Sequence, residues 1–564
     1  MPSPAPAARA AGSSADRWAW YTPALIAIAL YLPALRNGFA YDDDVIIVAN
    51  TRIHHWATIG SALRFPYWFD GGHLYRPLTT LSFALDWILG GGSPVPFHVV
   101  NIGWHAVVVA LVARLALQWW PPGAAFAAGL WFAIHPVHVE AVANVVGRSE
   151  LMCAAALLAL GIVTVRAAQS STVATVTFST APLPDDPGTA DTRHLLLVGV
   201  LAAAAMASKE TGIAAPVIAW AGSWLAHDPT CSAAADQRAR IAARRATAAA
   251  VLGVVLVLGI RFAALGGLAG DDPHPAFGAI SGPRATLLAL ASLPQAVGLM
   301  LAPQLPRNDY SPTDAGLTHI DTGLVVCGLA LVAGALGALV VHARRPGPWT
   351  FAIVFAAATL APVSNLFIHT GVVIAERTMY SPSIAEALAM GVATAAVWRW
   401  RARVPLALAG AVAGAAILFT EISIPTWRDT PSAIAAMRER APDSYRSYYL
   451  MARRETRAGQ MGAASEDYRA AIGRFSHDPM LLYHAGVNAL QRGDTAIAQQ
   501  WLGESVVTDS MLLRARTALV MLSLRRGDTA GARALLVTGL RIAPDQRSWR
   551  ATLDRLPPGE SPHP

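Results

Sequence analysis

WAWYTPALIAIALYLPALRNGFAYDDD, residues Trp18 to Asp44, joins two opposed chemistries in one stretch. From Trp18 to Leu35 no side chain is charged, and an apolar run of about 18 residues is what a helix needs to cross roughly 30 Å of hydrocarbon. The run has no small-residue cleavage pattern and passes straight into Asn37 and Gly38. It therefore reads as an uncleaved first span rather than a signal peptide. Asp42, Asp43 and Asp44 then stand where the chain leaves the bilayer.

The rest of the chain extends this pattern. Of 564 residues, 54% are hydrophobic and 14% charged, and the mean hydropathy is +0.41. A soluble domain carries roughly a quarter charged residues, so most of this protein is expected to lie in lipid. Candidate spans fall near 18–36, 97–118, 122–140, 150–168, 194–208, 211–227, 246–266, 320–342, 349–367, 380–398 and 404–424. Arginine clusters at Arg9/Arg17, Arg238–Arg245, Arg344/Arg345 and Arg399–Arg403 read as cytoplasmic by the positive-inside rule. With all four inside, about eleven crossings put the N-terminus in the cytoplasm and the C-terminus outside. The apolar stretch 284–301 then has to be an outer interfacial or re-entrant helix, for which Pro294 is the argument. Residues 1–17 read as a disordered cytoplasmic terminus and Gln169 to Thr192 as a flexible cytoplasmic loop.

The net charge of +7 comes almost wholly from arginine, since Lys209 is the sole lysine. In a membrane protein such a balance encodes orientation, and nucleic acid is not expected as a partner. Three cysteines without a spacing pattern argue against a disulfide framework or a thiolate metal site.

After Glu421 the composition turns charged and helical, and a repeat emerges. Gly459, Gly493 and Gly527 are 34 residues apart, as are Ala464, Ala498 and Ala532, and Tyr468, Leu502 and Leu536. A 34-residue period with a turn glycine, a small residue at the helix crossing and a bulky one four later is the tetratricopeptide signature. Three repeats, about 445–545 within a domain at 430–556, stack so that neighbours bury each other's apolar faces.

Chemistry concentrates at the expected outer helix ends. In the first outer loop, 37–96, adjacent Asp42, Asp43 and Asp44 repel one another, which raises the pKa of at least one. That suits a general base. A divalent cation site and a solvated acidic loop start are the alternatives. Arg76 could pair a phosphate or anchor lipid head groups. His135 and His138 share a helix face if Pro136 opens a turn, but a third metal ligand is missing. They read, with Glu140 and Arg148, as a hydrogen-bonded structural or substrate-contacting cluster. Lys209 could meet a lipid phosphate or pair with Glu210. Glu376 and Arg377 stand at another outer end, and Asp309 lies in the second long loop, Gly267 to Thr318.

The ordered series Tyr41-Asp42-Asp43, Arg76-Pro77, His98 with Asn101 and His105, His135 to Glu140, Gly147-Arg148, Lys209-Glu210, Asp309 to Ser311, Glu376-Arg377 and Trp427 to Asp429, followed by the repeats, resembles the transmembrane and tetratricopeptide-repeat protein O-mannosyltransferases. The resemblance covers essentially the whole chain. It implies a GT-C class helical bundle with a large first outer loop. It also implies an inverting transfer of a mannose-like sugar from a polyprenyl-phosphate donor. By that pattern Asp42 or Asp43 is the base, and by charge Arg76, Arg148, Lys209 and Arg377 contact the donor phosphate. Asp44, His135, His138, Glu140, Glu210, Asp309 and Glu376 would line the site. No cofactor is required in principle, because leaving-group charge can be met by cations of the protein. The partners expected are the lipid-linked donor, an acceptor protein or peptide held by the repeats, and membrane lipids. The expected location is the inner membrane of a bacterium, with site and repeats extracytoplasmic. Competing readings are a non-catalytic anchored scaffold and a transferase acting on a glycan or lipid.

Overall fold

Within a bilayer every backbone N–H and C=O must find its partner inside the protein, and a helix supplies that partner locally. The computed structural model describes residues 14–69, 72–177, 188–225, 233–268, 273–280, 282–302, 304–343, 346–400 and 403–557, and among them every regular element is helical. Residues 1–13 of the expected disordered terminus, 178–187 of the expected loop 169–192, and Arg344, Arg345 and Arg401 lie outside the described residues.

Among the described residues seven helices are long and apolar enough to cross a membrane: Asp16–Arg36, Pro94–Ala116, Val145–Gln169, Ala239–Leu265, Pro283–Leu301, Thr322–His342 and Val404–Trp427. An eighth arises if Pro122–Ile134 and Pro136–Ala143, bent by 53°, count as one. The chain is a multi-pass membrane protein. The sequence-based figure of about eleven is higher because Thr192–Ser208 and Pro348–Val363 are shorter apolar helices, and Ser383–Arg399, in place of the span at 380–398, has 17 residues. The segment near 211–227 is also broken, into a 3₁₀ turn Glu210–Ala214 and the helix Ala215–Trp224. A second difference concerns 284–301. The helix Pro283–Leu301 runs unbroken through Pro294 and has the length and apolarity of a span. A third concerns residues 169–177, which continue the helix Arg148–Thr177 instead of opening a loop.

The chain divides into two compact units. The first comprises Met1–Asp272, Thr286–Asn308 and Asp321–Ala436. Lipid tails are as apolar as leucine, so its helices are held by close packing rather than by escape from water. Small residues permit that closeness: a Cβ on Gly253 would lie 2.2 Å from the Gly199 carbonyl oxygen of the facing helix.

The second unit comprises Pro273–Ala285, Asp309–Ile320 and Met437–Pro564. Three helical hairpins, Tyr445–Arg457 with Met461–Ile472, Pro479–Arg492 with Thr495–Thr508 and Leu513–Arg525 with Thr529–Ile542, follow the 34-residue period. Gly459, Gly493 and Gly527 turn each hairpin at φ +76°, +83° and +75°, a region that side chains rarely enter. Ala464, Ala498 and Ala532 are fully buried at the crossings. Two pieces of the second long loop belong to this unit. The Asp314 carboxylate accepts from the Ser476 backbone N–H and, at 2.9 Å, from its hydroxyl.

Candidate active site

Four separated stretches of the first unit converge around Arg377. The last apolar segment returns to the first outer loop and clasps it. Asn37 Nδ2 donates to the Ile424 carbonyl at 3.0 Å, the Gly38 N–H donates to the Arg428 carbonyl at 2.7 Å, and the Tyr41 N–H donates to Thr430 Oγ1 at 2.9 Å. Tyr41 is thereby held at φ +58°, a strained conformation that persists only where surroundings over-determine it.

Beyond this kink the three aspartates diverge. Asp42 keeps 15% side-chain exposure and lies 3.4 Å from Arg377 Nη1. Asp43 is 1% exposed, and its two oxygens accept from the backbone N–H groups of Ala40 and Val146, each at 2.9 Å. Burial pushes its carboxyl up to about 8; Asp42 and Asp44 add to the rise, while the two N–H donors oppose it. Asp44 accepts from Thr430 Oγ1 at 2.8 Å. Three carboxylates facing three different partners do not form the common cation site that their adjacency suggested. They also separate by role: Asp43 and Asp44 fasten the loop, and Asp42 is left toward the cationic cluster.

Arg377 is the hub. Its Nη1 donates to Glu140 Oε1 at 3.0 Å and its backbone N–H to Glu140 Oε2 at 2.8 Å. Burial opposes the charge on this guanidinium, but Glu140 and Asp42 outweigh it and raise the pKa. Glu140 reaches this place because the chain breaks at His135, where Pro136 starts a new turn and His135 Nδ1 accepts from the Val137 N–H at 3.2 Å. His138 is fixed by the Phe132 carbonyl at 2.8 Å and by Ser383 Oγ at 2.9 Å. Both imidazoles brace the break.

A second cationic pair stands alongside. Arg76 precedes the helix Pro77–Gly90, and its Nη2 and Nε reach Glu210 Oε2 at 2.7 and 3.0 Å. Its guanidinium lies 4.8 Å from the centroid of the Tyr67 ring. Burial would raise the Glu210 pKa, yet Arg76 prevails and holds it below the usual carboxylate range. Lys209 is ion-paired with Glu150 rather than with its neighbour Glu210. Arg76 and Arg377 both bear electrostatically on Lys209 and on Tyr67, so these side chains, Glu140, Glu210 and Asp42 form one neighbourhood; burial first, and the two guanidiniums next, push the Lys209 ammonium well below its usual value.

Three sequence candidates lie elsewhere. Arg148 is fully buried, with its guanidinium on Asp86 at 2.5 Å, Asn101 Oδ1 at 2.8 Å, the Phe97 carbonyl at 2.9 Å and Ser82 Oγ at 3.2 Å. Such a group is consumed by packing: four of its five N–H donors have partners and the side chain is closed to a phosphate arriving from outside. Glu376 is 1% exposed and accepts from the Arg307 N–H at 2.6 Å, anchoring a loop. Asp309 belongs to the second unit, where it accepts from Ser311 at 3.0 Å and from Ser444 at 2.6 Å. Sequence reasoning passed over Asp86 and Thr430. A carboxylate inside the apolar stretch Leu81 to Leu89 was the available signal for Asp86; for Thr430, 386 residues from Asp44, there was none.

Among the described residues, no cluster of three or more His, Cys, Asp or Glu is arranged to hold a metal ion.

No protein-family model matches the chain. It is 27% identical over 502 residues to Protein O-mannosyl-transferase Tmtc1 of Drosophila melanogaster, an alignment covering 72% of the chain and 55% of that relative. It is 42% identical over 138 residues to Tmtc2 of the same fly, covering 22% of the chain and 14% of the relative. With TMTC4 of Homo sapiens the identity is 35% over 160 residues, 24% of the chain and 21% of the relative. The chain thus spans about half the length of the first of these relatives and less of the others. Among solved structures it is similar to the archaeal oligosaccharyltransferase AglB from Archaeoglobus fulgidus in complex with an inhibitory peptide and a dolichol-phosphate. That match has a TM-score of 0.42 and 14% identity, over 78% of this chain and 60% of that one. The curated homologues of this chain are protein O-mannosyl-transferases.

Proposed function

We propose that the chain is a membrane glycosyltransferase that moves a mannose-like sugar from a polyprenyl-phosphate donor to a protein hydroxyl on the non-cytoplasmic face of a bacterial inner membrane. The observation that carries the reading is the position of Asp42: a partly exposed carboxylate 3.4 Å from Arg377, in the charged neighbourhood of Arg76 and Lys209. A lipid-linked phosphate cannot leave the membrane surface, so the protein must bring cations to it. A hydroxyl arriving from water needs a base beside them.

In this mechanism the acceptor oxygen attacks the anomeric carbon from the face opposite the phosphate, which inverts that centre. Its proton passes to an Asp42 oxygen. The bond from the anomeric carbon to the phosphate oxygen breaks, and the electron pair leaves with the polyprenyl phosphate. Arg377, Arg76 and Lys209 offset the charge that develops there. Glu140 and Glu210 keep the two guanidiniums charged and oriented until donor enters. Asp43 and Thr430 hold Asp42 in place, and the helical hairpins, read as tetratricopeptide repeats, hold the acceptor.

The test supplies purified protein with labelled polyprenyl-phosphate mannose and glucose and an unfolded acceptor protein. Donor-dependent label on the acceptor is the expected result, reduced in Arg377→Gln and Arg76→Gln. Label appearing only on lipid or glycan would move the acceptor class. Absence of transfer from every donor would leave a membrane anchor for the repeats.

A further inference from the structure

Two helices of the membrane unit, Ala215–Trp224 and Ala233–Leu265, pack together and leave a groove that the transfer chemistry does not use. Near the end of the longer helix Arg261 donates to the carbonyl of His73, in the loop that carries Asp42 and Arg76, at 2.7 Å. Arg244 stands 17 residues earlier, about 26 Å away along the axis. A hydrocarbon core is roughly 30 Å thick, so Arg244 lies at the bilayer face opposite Asp42.

A cavity of about 610 Å³ opens there, lined by Trp220 of the shorter helix and by Arg244, Ala248, Val251, Leu252 and Val255 of the longer one. Arg244 is the one charged residue among its described lining. From Arg244 to Val255 is eleven residues, about 17 Å, close to half the hydrocarbon thickness. The groove thus has the length of one leaflet, with a guanidinium at its rim and apolar side chains below. At that rim Trp220 and Trp224 stack with centroids 5.6 Å apart, and the Arg240 guanidinium lies 5.4 Å from the Trp224 ring. Tryptophan marks the depth of lipid head groups. An arginine that only snorkels to water needs no cavity beneath it. A phospholipid uses both parts, its phosphate meeting the guanidiniums and its chain the groove.

We propose that this groove binds one anionic phospholipid of the leaflet remote from Asp42. Its phosphate sits on Arg244 and Arg240, and one acyl chain runs along Ala248, Leu252 and Val255. Two arginines favour a head group of net negative charge over a zwitterionic one. The helix of Trp220 and Trp224 continues from the turn Glu210–Ala214, whose Glu210 holds Arg76 at 2.7 Å. The lipid therefore braces the far end of that element. An effect on transfer rests on the sugar-transfer reading; the binding itself does not.

The experiment places the full chain in phosphatidylcholine nanodiscs without any donor, so failure of binding and failure of transfer are read separately. Phosphatidylglycerol with a diazirine in its acyl chain is added, illuminated, and its attachment sites are mapped by mass spectrometry. Labelling of Trp220 and residues 247–255 should exceed that by the matching phosphatidylcholine probe by at least about fivefold. The double change Arg240→Gln, Arg244→Gln should bring the two probes level. Arg399→Gln, which alters an exposed arginine at another helix end, should keep the preference. Leu252→Trp, which fills the groove and leaves the guanidiniums, should lower labelling by both probes. Should the double variant fail to fold, Arg244→Gln alone should still cut the preference by about twofold or more. Equal labelling by the two probes in the unaltered protein, or a preference untouched by the double change, would overturn the proposal. Displacement of the probe by an equimolar polyprenyl phosphate would do so as well, by making the groove a donor seat.

Discussion

Thr430 Oγ1 accepts the Tyr41 backbone N–H at 2.9 Å while donating to Asp44 at 2.8 Å, so one hydroxyl from the end of the membrane unit fixes the kink that aims Asp42. Because Tyr41 sits at φ +58°, removing this hydroxyl should let the loop relax toward an unstrained conformation. Thr430→Val should lower the turnover of sugar transfer by about tenfold or more with KM for donor little changed, since a 1 Å misplacement near reacting groups costs on the order of 10²-fold. Thr430→Ser, which keeps the hydroxyl, should restore most of it.

The buried pair of Arg148 and Asp86 should matter to folding before it matters to chemistry. Arg148→Gln leaves the Asp86 carboxylate, 2.5 Å from the lost guanidinium, without its counter-charge. Removing one partner of a buried pair costs roughly 3–5 kcal/mol. Thermal unfolding in detergent should show this loss, and the double change Arg148→Leu with Asp86→Leu should recover part of it. Full stability of the single variant, with activity alone reduced, would return Arg148 to the donor site.

Asp43 predicts a pH dependence. Its folded carboxyl titrates at about 8, against an ordinary value of 3.8. Between those values the folded protein holds a proton that the unfolded chain has released. The stability contributed by this group therefore falls as pH rises through that window and is flat above about 8. Melting temperature should drop between pH 5.5 and 8.5, and the drop should shrink in Asp43→Asn. An identical pH response in both proteins would contradict it.

Much of this architecture is legible in the chain itself. The apolar runs and the 34-residue glycine, alanine and leucine periods are local signals, because membrane thickness and helix stacking dictate them directly. The destinations of charged side chains are not local. Arg148 reads as an outer-face cation until Asp86, Asn101 and Phe97 surround it, and Asp309 reads as a site residue until Ser444 takes its carboxylate. Asp42, Asp43 and Asp44 are interchangeable in sequence; only partners 103, 335 and 386 residues away distinguish them. The helix Pro283–Leu301 runs through Pro294 for a related reason, since neighbouring helices can tolerate a proline that sequence rules treat as a break.

Membrane sidedness has its own check. The proposal requires the Asp42 loop and the hairpins on one side. With native cysteines replaced, single cysteines at Thr51 and Gln500, both exposed, should react with an impermeant maleimide added outside intact cells. Labelling of one but not the other would separate the two units across the bilayer.

Transfer of labelled sugar by Asp42→Asn, measured against the unaltered protein under single-turnover conditions with saturating donor, decides whether this carboxylate is the base. A general base contributes typically about 10²–10⁴-fold, so the rate should fall by at least that lower figure while donor binding persists. Transfer at the unaltered rate would contradict the mechanism and leave the gathering of Arg377, Glu140, Arg76 and Glu210 as a structural network alone.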